Sequence, residues 1–314
     1  MSRVGLILGG GGVTGASFHL AALLALEMAT GWDPTTADVI IGTSAGSFAA
    51  AVVRSGSLSL DSIVRPGERE EDVERRIRAW IYKKKPLNGV GRWLRHGILP
   101  GLRHPGVTSL LGAPGRFDPS GIGDWVASQA PSIADSWPDR PTVVVAYGLE
   151  DRRRMAFGTT DAPDVTLRDA VSASSAVPVL FDPHIIKGKS YVDGGVASGT
   201  NADLVLGNPE PLDLLLILAP MAAEAQRSGA LFYEAVFDRV GRSALHDELE
   251  AVATVWPDTD TLVLRPTSAV LAAMRPNPMD PARAVPTFVR TLASLRSRLA
   301  RAEVWQVLER HLVA

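Results

Sequence analysis

Short runs of branched and aliphatic residues recur along the chain at 4–8, 39–42, 142–146, 154–157, 190–192, 212–218 and 261–264, and each reads as a strand. Between them lie longer stretches with helical composition, among them 16–29, 222–255 and 284–312. Strands that alternate with helices imply an α/β fold: a three-layer sandwich with a mostly parallel central sheet and helices on both faces. The run 212–218 contains Leu214-Leu215-Leu216-Ile217-Leu218, apolar throughout, as expected of a central strand buried on both sides. The last stretch, 284–312, reads as one or two amphipathic helices. No internal repeat or low-complexity linker interrupts the pattern, so the 314 residues are expected to form one domain.

Two of the strand-to-helix junctions carry chemistry. At the second, Gly42-Thr43-Ser44-Ala45-Gly46 follows Val39-Ile40-Ile41 and precedes Phe48-Ala49-Ala50-Ala51. A serine at the apex of a sharp strand-to-helix turn presents its hydroxyl outward, and the flanking glycines let backbone pass close by. Ser44 is therefore the candidate nucleophile. At the first junction Gly9-Gly10-Gly11-Gly12-Val13-Thr14-Gly15 opens the first helix. Amides free of Cβ atoms at a helix N-terminus converge readily on an anion.

Gly10, Gly12 and Gly15 also fit the dinucleotide-binding spacing, but that fingerprint needs an acid at the end of the second strand, where this chain has the serine turn. Asp33 and Asp38 precede that strand. A phosphate loop of the Walker type fails as well, because no Gly-Lys-Ser/Thr follows. An oxyanion hole beside Ser44 fits best, with a plain tight turn as the bland alternative. For the base, none of His19, His96, His104, His184, His246 and His311 has a distinctive local pattern. His19 reads as a capping or surface residue, and His184 falls in a Pro-containing turn. Asp193 is the better candidate, because Lys189-Ser190-Tyr191-Val192 is a short strand that ends in Asp193-Gly194-Gly195.

Taken in order, the glycine loop, Gly42-x-Ser44-x-Gly46, Ala173-Ser174-Ser175-Ala176-Val177-Pro178 and Asp193-Gly194-Gly195 resemble the patatin-like phospholipase family over roughly residues 4–205. The resemblance implies a serine lipid acyl hydrolase that works through an acyl-enzyme without a cofactor. It implies a Ser–Asp dyad of Ser44 and Asp193. The N–H groups of Gly10, Gly11 and Gly12 would form the oxyanion hole, with Gly15, Gly42, Gly46, Gly194 and Gly195 as supporting motif positions. The chain departs from the family at Thr14, where relatives carry Arg or Lys, and at Gly199-Thr200-Asn201-Ala202, where many have Asn-Pro. A dyad at neutral pH needs a carboxylate of raised proton affinity, so Asp193 is expected to be partly buried beside Ser44.

Composition narrows the alternatives. The chain has no cysteine, which excludes disulfides and thiolate chemistry, and no metal-ligand spacing is visible. A net charge of −2 argues against nucleic acid as a partner. The N-terminal residues lack signal-peptide features, so a cytoplasmic enzyme is expected. Within an insertion at about 61–120, the stretch 75–104 interleaves nine Lys and Arg with Trp80, Tyr82, Trp93, Leu94, Ile98 and Leu99 and has no acid. Such a mixture suits peripheral contact with a membrane, and equally a solvated insertion whose aromatics pack inward. Its position fits a lid over the site, followed by a helical C-terminal part at about 220–314. Two other functions remain open: a Ser-His-Asp hydrolase using His246 or His184, and an inactive lipid-binding relative.

Overall fold

Side chains alternate faces along a strand, so a segment apolar at every position belongs inside a sheet covered on both sides. All five residues of β1 (Val4–Leu8) and of β2 (Val39–Thr43) are buried. The computed structural model describes residues 2–86, 88–102, 107–223 and 232–313, with only the backbone described at 107–108 and 232–243. The remaining strands are β3 (Thr142–Gly148), β4 (Arg153–Phe157), β5 (His184–Ile186), β6 (Lys189–Asp193), β7 (Leu214–Leu218) and β8 (Asp260–Leu264). They form one sheet in the order β5-β6-β3-β2-β1-β7-β8, with β4 also paired to β3. β3, β2, β1, β7 and β8 run parallel, whereas β4, β5 and β6 pair antiparallel. The expected strands recur within about two residues at each end. β5 was not expected: His184 lies in this three-residue strand against β6, where the sequence pattern indicates a turn.

Helices cover both faces. The major helices are α1 (Gly12–Thr30), α2 (Ala45–Arg54), α3 (Glu70–Ile81), α4 (Ser120–Gln129), α5 (Leu167–Ser174), α6 (Phe232–Val255), α7 (Ser268–Met274), α8 (Ala284–Leu299) and α9 (Ala302–His311). On one face Leu6, Leu8, Ile40, Leu214 and Leu216 join the apolar sides of α1, α2 and α8. On the other, Ile7, Ile41, Leu215 and Ile217 pack with Leu245, Val252 and Trp256 of α6 and its end. α1 lies between the sheet and α8, which is why its sequence is apolar on all sides. It is long and apolar enough to cross a membrane by length and composition, yet most of it is buried in the fold. It starts four residues earlier than expected, because the glycine loop itself forms the first turn. At its other end Gly31, at φ 74°, donates its N–H to Glu27 O and stops the helix.

The basic stretch meets acids from outside it. Arg76 pairs with Glu68 at 2.7 Å, Lys83 with Asp124 at 3.2 Å, and Lys85 with Asp182 at 2.7 Å; Arg92 also binds Asp182. Asp182 is 3% exposed, so these two cations anchor the insertion to the loop before β5. Val90, Leu94, Leu99 and Leu102 of the insertion remain exposed. Arg103 and His104 lie outside the described residues, as do 224–231 of the expected helix at 222–255.

Candidate active site

The sheet register joins two residues 149 positions apart. β2 pairs with β3 as far as Thr43 opposite Val145, and β6 pairs with it from Tyr191 opposite Gly148 down to Asp193 opposite Ala146. β4 pairs along 144–148 of the same strand, overlapping both partners, so it occupies the other edge. β2 and β6 therefore share one edge of β3 and run toward each other. Their tips, Thr43 and Asp193, face consecutive residues of β3. Ser44 and the Asp193 side chain emerge at that meeting point.

Ser44 makes the sharp turn its motif implies, at φ 54° and ψ −120°. A non-glycine residue held there costs about 1–3 kcal/mol, so the surroundings must hold it in place. Its N–H donates to Ser174 Oγ at 2.8 Å, and Ser174 Oγ donates in turn to Val145 O at 2.6 Å. Its carbonyl accepts from Ser47 N–H at 2.9 Å and from Ser47 Oγ at 2.6 Å. At Gly46 a Cβ would stand 1.9 Å from Leu8 O, so the turn can approach β1 only with glycine there. Ser174, at the C-terminal end of α5, is thus the residue that clamps the turn. The sequence shows the motif around it but not this role.

Asp193 is 6% exposed. Its Oδ1 accepts Gly195 N–H at 2.7 Å, and the Ser44 hydroxyl is close enough to favour its charged form. Burial penalises the charged carboxylate and outweighs the Ser44 hydroxyl and the Gly195 N–H, which favour it, raising its pKa from 3.8 to about 6. Ser44, Asp193, Gly10, Gly11 and Gly12 line a common cavity of about 160 Å³ whose other walls include Val177, Val196, Met221 and Met279.

Within the glycine loop the amides divide. Gly9 N–H donates to Leu218 O at 2.9 Å and Gly10 N–H to Gly199 O at 2.7 Å. Gly10 N–H is thus not available for an oxyanion, contrary to the expectation from the sequence. It ties the loop to the segment that follows Asp193. Gly11 N–H and Gly12 N–H have no partner among the described residues. Gly12 sits at φ 61°, a backbone region that favours glycine.

Two residues that support this loop escape a reading of the sequence. His19 is fully buried, with Nε2 2.6 Å from Gly9 O. Burial pushes its pKa down to about 4, so the ring is neutral, and Nε2 must carry the proton because a carbonyl only accepts. The surface or capping role expected for it is therefore corrected: most of α1 is buried, and His19 fastens the glycine loop from beneath. Glu248 of α6, also buried, accepts from Thr200 Oγ1 and, at 2.9 Å, from Ala202 N–H. It orders the turn whose Gly199 O holds Gly10.

Thr14 is fully buried, and its N–H donates to Pro278 O at 3.0 Å. The segment 277–279 lies over the loop there, and Tyr82 of the insertion donates to Met279 O. The other histidines stand elsewhere: His184 pairs with Asp169 at 3.2 Å, His311 with Asp260 at 2.8 Å, His96 lies 4.0 Å from Glu150, and His246 is exposed. No described histidine lines the cavity. Among the described residues no three His, Asp or Glu side chains gather to hold a metal ion.

No curated protein matches the chain. Among solved structures, VipD from Legionella pneumophila aligns at 16% identity over 95% of this chain and 67% of its own, with a TM-score of 0.36. The type III effector protein ExoU aligns at 17% identity over 96% and 54%, with a TM-score of 0.33. The ExoU–SpcU complex of the Pseudomonas aeruginosa type III secretion system aligns at 16% over 99% and 57%, with a TM-score of 0.33. The chain thus spans about two thirds of VipD and little more than half of ExoU. A family model described as patatin-like phospholipase matches residues 6–206, well over half the chain and nearly the same span as its four ordered motifs. The chain belongs to the patatin-like phospholipase family.

Proposed function

We propose that this chain hydrolyses acyl lipid esters through an acyl-enzyme on Ser44, with Asp193 as the base. Family membership supports lipid acyl hydrolysis and a lipid substrate. The observation that supports the finer reading is that Ser44 and the buried Asp193 carboxylate line one cavity that no described histidine reaches. As Ser44 Oγ bonds to the ester carbonyl carbon, its proton passes to Asp193. The carbonyl oxygen gains negative charge and meets the N–H groups of Gly11 and Gly12. Collapse breaks the carbon–oxygen bond to the alcohol, which leaves with the proton from Asp193. Water then attacks the acyl-enzyme, gives a proton to Asp193, and releases the fatty acid as Ser44 recovers its own. A base near pKa 6 is better matched to this task at neutral pH than an ordinary aspartate.

We further read the whole chain as one such domain, with the insertion at 61–120 meeting a lipid surface through Leu94, Leu99 and Leu102 and their neighbouring cations. Exposure of these apolar side chains supports that contact. Steady-state hydrolysis of a phospholipid and of a soluble ester tests the dyad. Ser44→Ala and Asp193→Asn are expected to abolish turnover, whereas His184→Ala and His246→Ala retain it. Loss of activity in either histidine variant, with fold intact, would favour a Ser-His-Asp triad instead.

A further inference from the structure

Ser44 stands where two cavities meet. The larger, about 160 Å³, contains Asp193, Gly195, Val196 and Met221. The smaller, about 40 Å³, is walled by Val13, Ala16, Phe48, Ile81, Ile122 and Trp125. Gly12, Ser44, Val177 and Met279 border both.

Building on the function proposed above, we infer that the smaller cavity receives the acyl chain and the larger one the alcohol, and that the enzyme favours short acyl chains. The group that takes the Ser44 proton must return it to the departing alcohol oxygen, so the alcohol lies on the Asp193 side. An ester carbonyl has one other substituent, the acyl chain. It then points into the cavity that lacks Asp193. Apart from Ser44, Ser175 and the indole N–H of Trp125, the side chains there are apolar, as a hydrocarbon chain requires. The cavity also has an end. Phe48 and Trp125 pack at a tilt with centroids 4.2 Å apart, and both are 3% exposed, so a long chain meets packed rings rather than solvent.

The test is kcat/KM on 4-nitrophenyl esters from butanoyl to dodecanoyl, with wild type, Ile122→Ala and Ala16→Leu. Wild type is expected to favour hexanoyl over dodecanoyl by at least about tenfold, in line with the discrimination one or more methylenes provide in an apolar pocket. Ile122→Ala removes three carbons from the wall and shifts the optimum about two to three carbons longer. Ala16→Leu adds three and shifts it shorter. Ile122→Val and Ala16→Val are milder changes at the same walls and shift the profile in the same directions by less, should either larger change prevent folding. The leaving group is constant, so these shifts report the acyl side alone. Chain-length profiles that coincide in wild type and folded variants would overturn the assignment while leaving the Ser44 hydrolase intact. If wild type itself turns over no ester and its Ser44 resists fluorophosphonate labelling, the proposed function falls and this assignment falls with it.

Discussion

Asp193→Asn should inactivate the protein and stabilise it at the same time. Burial holds the Asp193 carboxylate at about pKa 6 against an ordinary 3.8, so folding favours its protonated form. The difference amounts to about 3 kcal/mol at 1.36 kcal/mol per pKa unit. For a carboxylate raised on folding, the stabilising contribution is fully present below pH 3.8 and is lost as pH rises through about 6. At pH 8 the native state therefore carries a buried charge at a cost of about 3 kcal/mol, which a neutral Asn avoids. Asn keeps an oxygen to accept Gly195 N–H, so the local hydrogen bond survives. Thermal unfolding of wild type and Asp193→Asn should differ by about 6 °C in favour of the variant at pH 8, taking about 2 °C per kcal/mol for a chain this long. The gap should close toward pH 4. Equal melting temperatures at pH 8, or a gap that persists at pH 4, would refute the buried-base argument.

His19→Ala should lower kcat with little change in KM and slow fluorophosphonate labelling, while His19→Gln, which keeps a donor near Gly9 O, should recover much of the loss. The His19 ring has a folded pKa lowered to about 4, so its stabilising contribution is present above pH 6.5 and is lost as pH falls through about 4. Wild type should therefore melt earlier between pH 6 and 4 in a way that His19→Gln does not. Ser174→Ala leaves the Ser44 N–H unpaired in a buried site, so denaturant unfolding should show a loss of about 1–3 kcal/mol, with kcat reduced as well. Leu99→Glu with Leu102→Glu should weaken binding to vesicles of anionic phospholipid and hydrolysis in them, measured by sedimentation and fatty-acid release, while a soluble ester is turned over as before.

The strands, the serine turn and the glycine loop were legible because each is written locally: an apolar run, a sharp turn that needs Gly46, and amides at a helix start. Asp193 was legible as an acid at a strand end, but its meeting with Ser44 depends on β2 and β6 sharing an edge of β3, which local pattern does not encode. His19 was misread because α1 is apolar on every side, which leaves no polar face to show which residues point inward. β5 was missed because three residues after Pro183 are too few to show alternation. The covering segment 277–279 comes from beyond the motif-bearing part of the chain, and only tertiary contact shows that it holds the Thr14 N–H through Pro278 O. Gly10 fits the oxyanion motif in sequence, yet its N–H is committed to Gly199 O by a contact across 189 residues.

Fluorophosphonate labelling followed by intact mass, with the rate measured from pH 4 to 9, tests the Ser44–Asp193 pairing most directly. The account predicts a single adduct on wild type, none on Ser44→Ala, and a labelling rate that rises through a group titrating near pH 6 and is lost in Asp193→Asn. A rate in Asp193→Asn equal to wild type, or an adduct that persists in Ser44→Ala, would contradict it.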